Sequence, residues 1–123
     1  MNKVSLFAVL AAAVMGASAA RAQDPVKVDS KHYTLVFEND AVRVVRIHYA
    51  PGEKSVMHSH PAAVAVFLDD QKAKMTYPDG KSEEMSPKKG DAVFTPAGAH
   101  LPENIGSGPL EVVLVELKKP VAK

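Results

Sequence analysis

Short segments rich in β-branched and aromatic residues, separated by turn residues, run through this chain from residue 33 to residue 117. Pro78-Asp79-Gly80 lies between two of them and is a strong hairpin signal, because Asp-Gly tolerates positive φ. Beyond the first 22 residues, no segment has sustained 3.6-residue periodicity. Strand-like segments at roughly 8–12-residue spacing indicate a sandwich or barrel. We therefore predict an all-β domain with strands over residues 33–38, 42–49, 55–58, 62–68, 72–77, 81–85, 92–95 and 110–117.

The first 22 residues have the pattern of a signal peptide. Lys3 precedes an apolar run over residues 4–17, and Ala20-x-Ala22 supplies the small side chains that a signal peptidase accepts. A membrane anchor is the rival interpretation, but a span needs about 20 apolar residues and this run is shorter. We predict cleavage after Ala22, with Ala20 as the alternative, and a secreted or periplasmic protein that has no membrane attachment after processing.

Cleavage would leave a polar N-terminal arm (residues 23–32) and one barrel domain (residues 33–119). The mature net charge would be 13 − 14 = −1, since two of the 15 basic residues lie in the leader and all 14 acidic ones follow it. With no basic block, nucleic acid and anionic membrane surfaces are poor partners. The chain has no Cys, so its stability must come from the core, a metal or a partner subunit.

The last strand-like segment predicts a further contact. Val112-Val113-Leu114-Val115 is apolar at every position, so neither face of this strand should be wet. One face can fill the barrel, and the other must meet a second sheet or a second subunit. We therefore expect a homodimer.

His58-Ser59-His60 is the segment with the clearest chemistry. Alternate residues of a strand point to the same side, so the two imidazoles converge. Neutral imidazole is a common ligand of Zn, Fe, Ni and Cu. Alone, the pair is also compatible with two surface histidines.

Two longer stretches surround the histidines. Gly52 precedes His58 in a G-x5-H-x-H pattern, and the segment from Gly90 to Asn104 reads G-x5-P-x-G-x-H-x3-N, with His100 as its histidine. Together they resemble the paired motifs of the cupin superfamily over residues 52 to 104. The resemblance implies a double-stranded β-helix (jelly-roll-like) barrel with a metal inside one open end. By the same resemblance, the metal ligands are His58, His60 and His100.

The chain departs from the cupin motifs at two points. Val64 stands where the family has a Glu ligand, and counting by twos from His60 predicts that it faces the interior. The second motif is one residue shorter between Gly98 and His100. The resemblance thus implies a three-His site, as in some dioxygenases of the superfamily, rather than a three-His-one-Glu site. A barrel without metal, its histidines lining a pocket, is the alternative.

Other polar residues are weaker candidates for the pocket. His48 shares strand parity with Arg46, and both are expected to face the barrel, although a half-buried His without a role is an alternative. At most one of Arg43 and Arg46 can reach the cavity, where it would hold a substrate carboxylate. His32 is expected to be exposed. Glu103 could approach the site or lie on the solvated surface, and Gln71 replaces the last Gly of the first cupin motif.

Three neutral imidazoles would leave open positions on a divalent ion, either Fe, Mn, Zn or Ni. Such an ion could bind a small oxygenated organic molecule, a dicarbonyl, enol or hydroxy acid, beside O₂. The first hypothesis is therefore a small non-haem oxygenase or related metal-dependent enzyme, with no catalytic residue assigned. The second is a non-catalytic module that binds a small ligand or a metal. The fold alone does not decide between them.

Overall fold

The computed structural model describes residues 23–119, and within this range no helix is long and apolar enough to cross a membrane. The predicted leader and cleavage site lie outside the described residues, and export stays a prediction. Apart from one short helix, the regular secondary structure of the described chain is β, as the sequence predicts. Its elements are helix α1 (Pro25–Val28) and strands β1 (Tyr33–Glu38), β2 (Val42–Tyr49), β3 (His58–His60), β4 (Ala63–Phe67), β5 (Ala73–Thr76), β6 (Ser82–Met85), β7 (Ala92–Thr95), β8 (Gly98–Asn104) and β9 (Leu110–Leu117).

Strands β1, β2, β7 and β9 have the predicted bounds, and β4, β5 and β6 are one or two residues shorter than predicted, whereas β3 and β8 differ more. Strand β3 begins at His58 rather than at residue 55. Strand β8 was not predicted as a strand, because it contains Gly98, Pro102 and Asn104, which have low β-propensity. It forms because β3 and β5 pair with it on either side, and pairing overrides propensity.

The strands form two antiparallel sheets. The order is β1-β2-β9-β4-β7 in the five-stranded sheet and β3-β8-β5-β6 in the four-stranded sheet. The Pro78-Asp79-Gly80 turn joins β5 to β6 as predicted, with Gly80 at φ 84°. Gly52 and Gly90, the first residues of the two motifs, also have positive φ, which only glycine adopts easily.

The core lies between the sheets and is built from alternate residues of the central strands. Burial along β9 alternates from Leu110 to Glu116, and the inward residues pack with those of β2 and β4. The core side chains on these three strands are Val45, Ile47, Tyr49, Ala63, Ala65, Phe67, Leu110, Val112 and Leu114. The row of inward side chains on β9 ends at Glu116, a carboxylate that is only 2% exposed.

The N-terminal arm packs against the barrel through α1. Asp24 caps the helix and Pro25 is buried at its first turn. The chain then turns back, so that His32 stacks on the ring of Tyr49 at a centroid distance of 4.3 Å. Its Nδ1 lies 2.8 Å from the Asp29 carboxylate. The prediction that His32 is exposed is therefore wrong, because the turn after α1 places it between a buried ring and a carboxylate.

The outer face of the five-stranded sheet carries a row of apolar side chains that crosses every strand. Cross-strand partners along this row are Phe37, Val44, Val115, Val64 and Phe94, in sheet order. Val44 is 8% exposed although it lies outside the core cluster, whereas both phenylalanines are 52% exposed. Val113 and Val115 thus make the middle of the outer face of β9 apolar, as the sequence predicts.

Candidate metal centre

Strands β3 and β8 bring the three histidines together. His58 pairs directly with His100 across the two strands, and His60 pairs with Gly98. Because alternate residues share a face, His60 lies on the same side as the other two imidazoles. One ring nitrogen from each histidine lies within 4.8 Å of the others. The alignment that placed His100 with the HxH pair through the shortened second motif therefore agrees with the structure.

His58 is fully buried, and its two ring nitrogens have different partners. Nδ1 lies 2.8 Å from the Val56 carbonyl oxygen, which can only accept, so Nδ1 carries the proton. The Tyr49 hydroxyl donates to the Tyr33 hydroxyl over 2.7 Å, which leaves Tyr33 to donate to His58 Nε2 at 3.1 Å. Nε2 is therefore the unprotonated nitrogen, in the tautomer that a metal requires, and a bound ion would take its lone pair in place of the Tyr33 hydroxyl.

His60 is oriented by a buried carboxylate. Its Nδ1 lies 2.9 Å from Oε2 of Glu116, so Nδ1 donates and Nε2 is left with its lone pair. Arg43 contacts the other oxygen of Glu116 at 3.3 Å and compensates its charge. Metal-ligating histidines commonly donate their second ring N–H to such a carboxylate, which fixes the tautomer and the ring orientation.

His100 completes the fit of the cluster to a cation. Its Nε2 is buried and has no hydrogen-bond partner among residues 23–119. Such an atom costs about 1–3 kcal/mol, and a bound ion would satisfy it. Burial, and next the neighbouring His60, lower the pKa of His100 to about 3 and that of His58 to about 4. Both imidazoles are thus neutral near pH 7, as metal ligands must be.

The His58 ring packs against those of His60 and His100, and these two form part of the wall of a cavity of about 90 Å³ inside the barrel. Its remaining wall is mostly apolar and includes Phe67, Met75 and Leu114. The polar side chains at the wall are neutral ones, the two buried tyrosines and Thr95 besides the histidines. Of the residues described, no Asp, Glu, Lys or Arg lines this cavity. A ligand inside it would therefore meet an apolar wall and one polar end.

Val64 does not face this cavity. Ala63, Ala65 and Phe67 are the buried residues of β4, and Val64 belongs to the opposite face. The prediction that counted by twos from His60 is wrong, because residues 61–62 separate β3 from β4 and these strands belong to different sheets. The strand alternation does not continue through that corner.

His48 and Arg46 also lie outside the barrel. Their side chains are 54% and 47% exposed, and both pair with Glu111 on the outer face of β9. The inward residues of β2 are Val45, Ile47 and Tyr49. Placing His48 and Arg46 in the pocket was therefore wrong. Arg43, which shares parity with the inward residues, is the arginine that reaches the site, where it contacts Glu116 rather than the cavity.

Two residues of the site were not predicted from the sequence. Glu116 is the only charged residue at an inward position of β9, a signal that the sequence offers once that strand is assigned. Tyr33 opens β1, and nothing in the sequence connects it with His58.

Glu103 has the opposite strand parity to His100 and pairs through its backbone with Lys54 and Lys74. Gln71 instead bonds the Glu111 carbonyl oxygen.

Comparison with known proteins identifies the fold. No protein-family model and no curated protein matches the chain. Many solved structures do, among them a cupin domain from Bordetella pertussis Tohama I, with 24% identity and a TM-score of 0.66 over 71% of this chain and 92% of the other. A double-stranded β-helix protein from Klebsiella pneumoniae has 25% identity and a TM-score of 0.57 over 69% and 74%.

A third similar structure is the polyketide cyclase RemF from Streptomyces resistomycificus. It has 18% identity and a TM-score of 0.54, over 71% of this chain and 64% of the cyclase. At this level of identity, the likeness concerns the fold. The described chain, with its two antiparallel sheets and paired histidine motifs, is therefore a cupin by fold, a single double-stranded β-helix barrel.

Proposed function

We propose that this cupin binds a divalent ion of the Fe, Mn, Zn or Ni class through His58, His60 and His100. The observation that carries the proposal is the convergence of three imidazoles, two of which line an apolar cavity. In two of them Nδ1–H donates a hydrogen bond to an oxygen, which leaves the lone pair on Nε2. The third has a buried nitrogen without a partner in the described chain. A site built of three neutral ligands suits a borderline cation better than a hard one.

The ligand of this centre would be a small molecule with an apolar body and an oxygen donor. When bound, the metal would supply Lewis acidity and open coordination positions for that donor. The apolar wall would hold the rest of the molecule. With the ion on His58 Nε2, the Tyr33 hydroxyl that contacts this nitrogen would be free to donate a hydrogen bond to the ligand. Since no cationic side chain among residues 23–119 lines the cavity, a carboxylate would have to bind at the metal end.

Two functions use such a site, an oxygenase-type enzyme and a binding module without turnover. The polyketide cyclase of the same fold supports keeping an enzymatic role as a candidate. The module is favoured by the cavity wall, which within the described residues has no carboxylate or lysine to act as a general acid or base. Oxygen uptake by the Fe(II)-loaded protein with a β-diketone would support the enzyme. Formation of a chelate band without oxygen uptake would support the module.

Metal binding itself is tested by melting the chelator-treated protein with added ions. At an ion concentration of 100 times Kd, binding to the native state adds about 2.7 kcal/mol of stability. For a domain of this size we expect the melting temperature to rise by about 10 °C or more with Zn²⁺, Mn²⁺, Fe²⁺ or Ni²⁺. Mg²⁺, which prefers oxygen ligands, serves as the control. No shift with any of the four ions at millimolar concentration would reject the proposal.

We also propose that the protein is a homodimer that packs through the apolar row on the five-stranded sheet. Val64 lies in the middle of this row, between Val115 and Phe94. Val64→Glu places a carboxylate in the contact, where burial without a partner is costly. We expect this variant to be a monomer in light scattering and to bind metal with wild-type affinity. Ser82→Glu, at an exposed position of β6, is the control. A monomeric wild type, or a dimeric variant, would contradict the proposal.

A further inference from the structure

The segment before β1 contacts the strand that carries two of the three histidines. The backbone N–H of Ser59, between His58 and His60, donates to the carbonyl oxygen of Gln23 over 3.0 Å. Residues 23–29, which we call the N-terminal brace, therefore run alongside β3. The brace lies outside both sheets and contributes no side chain to the cavity wall.

One series of contacts runs from the brace to His60. The carboxylate of Asp24 accepts a hydrogen bond from Arg43 at 3.1 Å, and its second oxygen forms an ion pair with the guanidinium at 3.0 Å. Arg43 in turn contacts Glu116 at 3.3 Å, and Glu116 accepts the hydrogen bond from His60 Nδ1 at 2.9 Å. The Asp24 carboxylate also accepts from the backbone N–H of Val26, which fixes it to the start of α1.

A second series of contacts runs from the other end of the brace to His58. Asp29 follows α1, and its carboxylate accepts a hydrogen bond from the Ser55 hydroxyl. The Ser55 oxygen lies 3.1 Å from His58 Nδ1, the ring nitrogen that also donates to Val56. Ser55 is buried, with 6% of its surface exposed. Each end of the brace is thus connected to Nδ1 of a histidine. One side chain lies between Asp29 and His58, and two lie between Asp24 and His60.

We infer that the N-terminal brace is a positioning element of the metal centre, which holds the imidazoles of His58 and His60 in their metal-binding orientation. This inference rests on the proposed metal site. A carboxylate behind a ligating histidine fixes the ring and raises its basicity, and such partners affect metal affinity without touching the ion. Here the carboxylate of Glu116 is itself held by Arg43, and Arg43 by Asp24. The segment that precedes the barrel therefore acts on the site inside it.

The barrel supplies a matched control for these contacts. Arg46 and Glu111 form a second Arg–Glu pair on the same two strands, β2 and β9, but on the outer face. Neither residue contacts a histidine of the cluster in the described chain. Substituting Glu111 tests the loss of an Arg–Glu pair between these strands, and substituting Asp24 or Glu116 tests the brace.

The experiment measures Co²⁺ affinity and the visible Co²⁺ spectrum of the full chain. We expect Glu116→Gln to lower the affinity by about 10- to 100-fold, the usual effect of altering the partner of a ligating histidine, because the amide lacks the negative charge of the carboxylate. Asp24→Asn should lower it by about two- to fivefold, the weight of a partly exposed ion pair. Both variants should alter the spectrum, since the orientation of His60 changes. Glu111→Gln should leave affinity and spectrum unchanged.

A double variant separates positioning from a merely structural role. If Asp24 acts through Glu116, Asp24→Asn should cause no further loss of affinity in the Glu116→Gln background. Because Asn caps a helix as Asp does, the single variant Asp24→Asn should fold, with a melting temperature within a few degrees of that of the metal-free wild type. Wild-type Co²⁺ affinity and spectrum in Asp24→Asn would overturn the brace while leaving the metal site standing. A wild type that binds no Co²⁺ would instead reject the proposed function.

Discussion

His100→Ala is expected to lower metal affinity by about two orders of magnitude or more, because it leaves only the His58–His60 pair. Two imidazoles do not close a site of the kind that structural and catalytic metals use. The metal-free protein should keep its fold, since the substitution also removes a buried nitrogen without a hydrogen-bond partner in the described residues. Competition with a chromophoric chelator measures the affinity directly.

The matched control for this prediction is His48→Ala. His48 is more than half exposed on the outer face of the barrel, so its loss should not change metal affinity. If His100→Ala binds metal as the wild type does, the ligands do not include His100. A loss of the same size in His48→Ala would place the metal outside the barrel.

The metal-free protein is expected to lose stability steeply in mild acid. The pKa of His58 is lowered to about 4 by burial, and that of His100 to about 3. In the unfolded chain both groups titrate near 6.5. The stability that these neutral histidines contribute is therefore fully present above pH 6.5. It is lost as the pH falls towards 4 and then 3, because the unfolded state binds protons first. Each pKa unit between the folded and unfolded states is worth about 1.4 kcal/mol, so His58 alone lowers the free energy of unfolding by about 3 kcal/mol.

Urea unfolding between pH 7.5 and 4, in the presence of a chelator, measures this dependence. His100→Leu removes one of the two groups of low pKa and fills its space with an apolar side chain. Its stability should decline less steeply with acid than that of the wild type. A wild-type free energy of unfolding that stays constant from pH 6.5 to 4.5 would contradict the assignment of neutral, buried imidazoles.

The strand pattern predicted most of the strands, and the paired motifs predicted the three histidines that meet in the site. The alternation of His58 and His60 places both on one face, and this local geometry depends only on their being in a strand. The proximity of His100 to this pair depends on contacts between distant parts of the chain. It was predicted from the resemblance to the second cupin motif. Strand β8 itself was missed, since its Gly98 and Pro102 are poor strand residues and only its neighbours make it one.

The orientation of side chains was less predictable than the strands. A period of two divides a strand into two faces, but it does not say which face is inward when both contain apolar residues. On β2, the row of Val44, Arg46 and His48 faces outward. Val64 was misplaced for a different reason, because the alternation was extended across a corner between two sheets. The sequence could have identified Glu116 as a residue of the site, because it is a charged residue at an inward position of β9. Only the three-dimensional structure identifies Tyr33, because nothing in the sequence connects it with His58.

The histidines of the cluster are distributed unequally along the chain, and this affects how metal binding acts on folding. His58 and His60 are two residues apart, whereas His100 comes 40 residues after His60. Because the first two are close in sequence, the unfolded chain can still bind an ion weakly through two imidazoles. The third ligand joins them only when β3 pairs with β8. Binding to the unfolded state reduces the stabilisation that a metal gives to the native state. The rise in melting temperature therefore sets a lower limit on the native affinity, and isothermal titration measures the rest.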